Sequence, residues 1–307
     1  MKNMKKRKAG ILYAISLLCL SLCNTAFADE SDAELFILAG SEKQYTEKQI
    51  NNFFEVPDWY PNDHIKMPKV VSHGVKPKVF ACASCHLTSG SGHPESAALA
   101  GLSVDYQIRQ IKAYQRFQRD SIAGTMISVG KPMTDEDIRE SAEYFASLTP
   151  LKVQEVIEVE EVPVTYVNNR FMRLIVEEGG EKTEAIGDRM ITVPVDEYRV
   201  KARDPYARFI TYVPLGSLEK GKYLVKKGKG SAAPCGSCHG PELRGTAIAP
   251  LIAGQHANYL MSQLHAFKKG TRRGDADPGQ SMANNMKYFT DSEILAIAAY
   301  VGSLERK

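Results

Sequence analysis

Apolar residues recur at helical spacing in four stretches of this chain. Tyr106 to about Phe117 and Tyr259 to about Lys269 each carry such a stripe. Ile138, Ala142, Phe145 and Leu148 form a third; Ile294, Ile297, Ala298, Val301 and Leu304 form a fourth. The last two follow Thr134-x-x-Asp137 and Thr290-x-x-Glu293, spacings at which the threonine caps a first turn. Such stripes are core faces of packed helices. Residues 150–218 differ. Val156–Glu160, Met190–Val193 and Arg208–Val213 are rich in β-branched and aromatic residues, punctuated by Gly179-Gly180, Pro194, Pro205 and Pro214. They predict short strands and turns, a region more structured than a tether and suited to holding two flanking parts at a set separation. Towards the N-terminus, Thr46-Glu47-Lys48-Gln49 is a capping box opening a helix to about Phe54. Pro57 and Pro61 keep Val56–Pro61 extended or turning.

The two helical parts are copies. At an offset of 153, Cys82, Cys85 and His86 fall on Cys235, Cys238 and His239, and Ala100-Gly101 on Ala253-Gly254. Tyr106 falls on Tyr259, Gln110 on Gln263 and Arg119 on Arg272. At an offset of 156, Met126 falls on Met282, Thr134-Asp135 on Thr290-Asp291, and Tyr144 on Tyr300. A repeat of this length means one fold used twice. The predicted organisation is a leader at 1–28, an arm at 29–75, a first domain at 76–149, a strand-rich region at 150–218 and a second domain at 219–307.

The leader changes the charge balance. Lys2, Lys5, Lys6, Arg7 and Lys8 precede a short apolar run, Ile11–Leu22, and a small-residue cleavage site, Ala26-Phe27-Ala28. That is a secretory signal peptide; the run is too short to span a bilayer, and Leu22 is too bulky to make Cys23 a lipoprotein anchor. Taking its five basic residues from the +3 of the whole chain leaves the mature chain at −2. Nucleic-acid binding thereby loses its electrostatic support. The composition, 43% hydrophobic and 24% charged, is that of a soluble globular protein, with no membrane span in the mature chain.

Of the six cysteines, Cys19 and Cys23 leave with the leader. The remaining four lie in Cys82-Ala83-Ser84-Cys85-His86 and Cys235-Gly236-Ser237-Cys238-His239. C-x-x-C-H is the attachment pattern for a c-type haem: two thiols form thioethers to the porphyrin vinyl groups, and the histidine ligates iron. Zinc or a redox dithiol leaves both adjacent histidines unexplained. The cofactor expectation is two covalently bound haem c groups. For the opposite iron face the repeat sorts the methionines. Met133, Met286 and Met261 fall on Phe289, Gly130 and Ile108, whereas Met126 and Met282 match each other, 40 and 43 residues after their histidines. The expected iron ligands are His86 with Met126 and His239 with Met282. The Pro250 carbonyl is placed to accept the His239 Nδ1 proton, with Ala97 at the matching position. That substitution predicts different potentials at the two haems. Arg119 and Arg272, or Arg116 and Arg273, either face water or pair with haem propionates. Trp59 either covers the first haem or anchors the arm, and His64 and His73 are loop histidines before they are ligands.

Residues 82–148 and 235–304 resemble class I cytochrome c domains, the second more closely through C-G-S-C-H-G-P, P-L-I-A-G-Q and F-T-D-S-E-I-L-A-I-A-A-Y. Two in one secreted chain resemble the tandem di-haem cytochromes c of bacterial periplasms. The resemblance implies a mainly α fold of two class I domains joined by a strand-containing linker region. It implies a periplasmic electron carrier with no catalytic residues, and redox-protein partners such as a dehydrogenase, reductase or oxidase. The alternatives are a di-haem peroxidase-like enzyme, which needs a displaceable sixth ligand, and the haem subunit of a dehydrogenase complex.

Overall fold

The computed structural model describes residues 34–168, 172–176, 182–273 and 277–306. The predicted leader and Gly179-Gly180 lie outside them. Each repeat opens on a helix, Lys69–Ser72 or Ser217–Lys227, whose carbonyl (Val70 or Val225) accepts the N–H of the first motif cysteine. Val70 and Val71 are buried with Val79, Ile138, Tyr144 and Phe145, so the core of the first unit begins before residue 76. The predicted amphipathic helices follow as Val104–Gln115 and Ala257–Lys269. The final helices, Asp135–Ser147 and Asp291–Ser303, both start on full capping boxes at Thr134 and Thr290. The arm helix is shorter than its sequence predicts, Glu47–Ile50: its capping box forms, but Asn51 leaves the helical conformation.

Strands fill the interval between the repeats. Gln154–Val159 runs parallel to Phe209–Pro214, which pairs antiparallel with Ile191–Pro194. This sheet is fastened to the second unit: the Gln154 amide donates to Gln255 O and Gly302 O at 3.1 Å each. The turn after Glu197–Lys201 is fastened to the arm and to the first unit. Trp59, 1% exposed, donates its indole N–H to Ala202 O at 2.7 Å, so it anchors the arm. Arg203 donates to Ile50 O at 2.8 Å and to Ser84 O inside the first motif. The strand-rich region therefore grips both units, as a spacer of fixed length must.

The units also meet directly, through the residues the repeat had paired. Arg119 and Arg272 form an isolated antiparallel bridge. Arg119 donates to Gln110 Oε1 (2.7 Å), Tyr259 OH (2.6 Å) and Gln263 Oε1 (2.9 Å). Arg272 mirrors it on Gln263 Oε1 (2.8 Å), Tyr106 OH (2.9 Å) and Gln110 Oε1 (2.9 Å). Both guanidiniums are buried and stack over rings, Tyr114 and Phe267. Neither faces water. Nearby, the Gln255 amide pairs both ways with the Ala98 backbone, and the buried Arg306 donates to Ala98 O and Ala100 O across the same boundary.

His256, fully buried beside this boundary, has Nε2 3.1 Å from Ser91 O and no partner for Nδ1. Burial first, then the electrostatic influence of His93 and Arg306, pushes its pKa down to about 3. Protonation is thus resisted only in the folded state. The stability this group supplies is complete above about pH 6.5 and is lost as pH falls from there towards 3, at up to ~1.4 kcal/mol per pH unit. Urea unfolding at pH 7 and pH 5 should show a larger loss for wild type than for His256→Gln. Equal losses would contradict this account. Tyr259→Phe, which removes one acceptor from a buried cation, should lower unfolding stability by about 1–3 kcal/mol in the same measurement.

Candidate haem sites

Each motif forms one helical turn, Ala83–His86 or Gly236–His239, with the first cysteine just before it. Both cysteines and the histidine therefore emerge within a single turn. The residue after the histidine must then take a positive φ to turn the chain away. In the second copy this is Gly240 (φ 76°, ψ 177°), which suits it. In the first it is Leu87 (φ 61°, ψ 161°), a conformation costing a residue with a side chain roughly 1–3 kcal/mol. Strain of that size persists where surrounding structure enforces it, and here it aims the preceding histidine.

The histidine rings are fixed alike. His86 Nδ1 lies 2.9 Å from Ala97 O and His239 Nδ1 lies 2.8 Å from Pro250 O. The predicted carbonyl contact thus exists in both copies, and the Ala/Pro difference does not remove it. With Nδ1–H donating to a carbonyl, Nε2 keeps its lone pair for a metal. Burial pushes the His86 pKa down to about 4 and also lowers that of His239, so both imidazoles stay neutral. Burial likewise pushes the Cys82 and Cys235 thiols up, to about 12 and about 11.

Cys82, Cys85, His86 and Met126 line one cavity of about 700 Å³, within the size range of sites that enclose an organic cofactor. Met133 and Val129 also line it. Arg119 borders it too, and its Nε is buried without a partner. A wide apolar cleft holding two thiols, a neutral imidazole, a thioether and a buried cation short of an acceptor fits a haem with its propionates. Cys235, Cys238, His239 and Met282 line a second cavity of only about 40 Å³, narrowed by Leu260, Leu264, Met286 and Phe289. The donor set is the same; holding a porphyrin there requires the side chains of Ala257–Lys269 and Asp277–Met286 to part.

His64 bonds Asp58 at 3.0 Å and His73 bonds Ser72; neither lines the cavity. Arg116 and Arg273 are both exposed, and Arg273 bonds Gly270 O. The interlocking of Arg119 with Arg272 was not anticipated, although the matched Tyr, Gln and Arg of the repeat were its visible signal.

A family model described as Cytochrome c matches residues 220–305. Cytochrome c4 of Pseudomonas aeruginosa is 38% identical over 233 residues, covering 74% of this chain and 85% of that protein. A thiosulfate dehydrogenase electron acceptor of Stutzerimonas stutzeri is 22% identical over 239 residues, 76% of this chain and 83% of that one. The solved cytochrome c4 of Acidithiobacillus ferrooxidans covers 73% of this chain and 98% of its own, at 22% identity and a TM-score of 0.49. Identity of this extent, over two copies of the C-x-x-C-H motif, places the chain in the cytochrome c4 family, as an electron-transfer cytochrome with covalently bound haem c rather than an enzyme.

Proposed function

We propose that the protein carries electrons in the periplasm through two haem c groups, one attached at Cys82 and Cys85, the other at Cys235 and Cys238. His86 and Met126 are the axial ligands of the first iron, His239 and Met282 those of the second. The observation that carries this reading is the matched donor set: in each copy two cysteines, a carbonyl-oriented imidazole and a methionine line one cavity. When bound, haem supplies a one-electron iron couple, which a thioether ligand shifts to higher potential. The protein's part is to keep each imidazole neutral and aimed, to exclude water, and to hold the two sites in one body. Arg119 and Arg272 supply buried positive charge for propionates, which would satisfy the orphaned Arg119 Nε.

Relatives named as the electron acceptor of thiosulfate dehydrogenase and as the cytochrome subunit of a sulfide dehydrogenase point to a dehydrogenase as electron donor. Among the described residues no helix is long and apolar enough to cross a membrane.

Met126→Ala and Met282→Ala should each convert one haem from low to high spin and lower its potential by on the order of 0.1 V, within the ~0.8 V that axial ligation spans. Met133→Leu should leave both spectra intact. A Met133→Leu protein with a high-spin haem would reassign the first ligand. The two surroundings also differ: Pro150 packs on Gly101, while at the matching position of the second copy a buried arginine, Arg306, packs on Gly254 and donates to Ala98 O and Ala100 O, near the carbonyl that orients His86. A potentiometric titration with spectra recorded throughout should therefore resolve two potentials. A single-potential fit would refute that difference.

A further inference from the structure

The helix Glu197–Lys201 ends at Ala202, and the next residue, Arg203, takes φ 54°. Glycine is the usual residue in that left-handed position after a helix, because a side chain strains it. Such strain persists where the surroundings enforce it, and it points to function. The backbone alone calls for glycine here, so what the arginine contributes comes from its side chain.

That side chain joins three places in the first unit and its arm. Its Nε donates to Ile50 O at 2.8 Å, an Nη donates to Ser84 O, and the guanidinium lies 5.5 Å from the centre of the Phe53 ring. Ser84 stands between the two motif cysteines, directly before Cys85 and His86. Arg203 also lines the first cavity, together with Ser84, Cys85 and His86. The turn that carries it is itself clamped, through the Trp59 indole N–H on Ala202 O.

The charged neighbours of Arg203 along the chain have partners of their own. Asp204, fully buried, accepts from Arg199 Nε and from the Tyr206 N–H, and Lys201 pairs with Glu197. The second motif is built differently. Both motifs have a hydroxyl on the carbonyl of the second cysteine, Ser96 on Cys85 O and Thr246 on Cys238 O. Only the first adds a cation: Ser237 O, which matches Ser84 O, receives no side-chain donor among the described residues.

Reduction lowers the charge at a haem iron by one, so a fixed cation held beside the motif favours the ferrous form. We infer that Arg203 is a positioning residue for the first haem site, which locks the Ser84 carbonyl and raises the reduction potential of the haem attached there. The arm and the strand-rich region thereby adjust the first potential separately from the second. This inference rests on the haem assignment proposed above and goes beyond it by naming the responsible group.

The test is a potentiometric titration of the full-length, haem-loaded protein, with one electron per haem supplied by the electrode through a mediator dye. The component that Met126→Ala turns high-spin identifies the first haem. Arg203→Gly keeps the turn, since glycine adopts this φ without strain. Arg203→Gln leaves a neutral donor of similar reach. At the wild-type midpoint of the first haem, both variants should lower its ferrous-to-ferric ratio at least ~3-fold, while the second haem stays within about twofold at its own midpoint. Arg203→Lys, which keeps a cation without the fork, should leave the first ratio within about twofold of wild type. Lys78→Met removes a charge at an exposed position before the same motif and should also leave it within about twofold. Hydrogen–deuterium exchange over 82–87 should be faster in Arg203→Gly than in wild type.

An unmoved first ratio in both neutral variants would overturn the inference. So would equal shifts at both haems, a fall in Arg203→Lys or Lys78→Met as large as in Arg203→Gly, or unchanged exchange over 82–87. Fewer than two haems per wild-type chain in the pyridine haemochrome spectrum, or no high-spin component in Met126→Ala, refutes the underlying assignment. Two loaded haems with an unmoved first ratio refute the role of Arg203 alone.

Discussion

Two buried guanidiniums, facing each other across the domain boundary, constrain everything else in this molecule. Arg119 and Arg272 share the same two amide oxygens, Gln110 Oε1 and Gln263 Oε1, and each takes a phenol oxygen from the opposite domain. Like charges at this separation repel, and burial raises the cost. The arrangement is tolerable because every acceptor is aimed and because the rings of Tyr114 and Phe267 lie beneath the cations. It also leaves unmet demand for negative charge beside the first cavity, where Arg119 Nε has no protein acceptor. A cofactor bearing carboxylates would answer that demand, which would tie the domain boundary to the first cofactor site.

On that symmetric frame the chain lays an asymmetric cover. The arm, through Trp59 and Ile50, and the strand-rich region, through Arg203 and Pro205, close over the first motif. The same region holds the second domain through Gln154, leaving that domain's motif open. A flexible linker would permit both loops to meet partners and let the two sites drift apart. A folded spacer fixes their separation and, through its one-sided grip, makes the two sites unequal.

Much of this was legible in the sequence because the relevant signals are local. C-x-x-C-H needs only five residues, a capping box four, and the amphipathic stripes a few turns. The repeat carried the argument further, since a residue kept at matched positions of both copies has a role in both. Met126 and Met282 were singled out that way, and so were the arginines, but their destination was not legible. Pairwise matching says that two residues do the same thing and not that they do it to each other. The arm helix ended early because capping starts a helix without deciding its length. The cover over the first motif was invisible for a different reason: Arg203, Trp59 and Ser84 are distant in sequence, and only tertiary packing brings them together.

The central claim is that both motifs of one compact unit are covalently loaded. Intact-mass and peptide mass spectrometry of the purified mature protein tests it most directly. The account predicts two haem additions, one on the peptide spanning Cys82 to His86 and one on that spanning Cys235 to His239, with no free thiol remaining. A single addition, or alkylatable thiols at either pair, would contradict it.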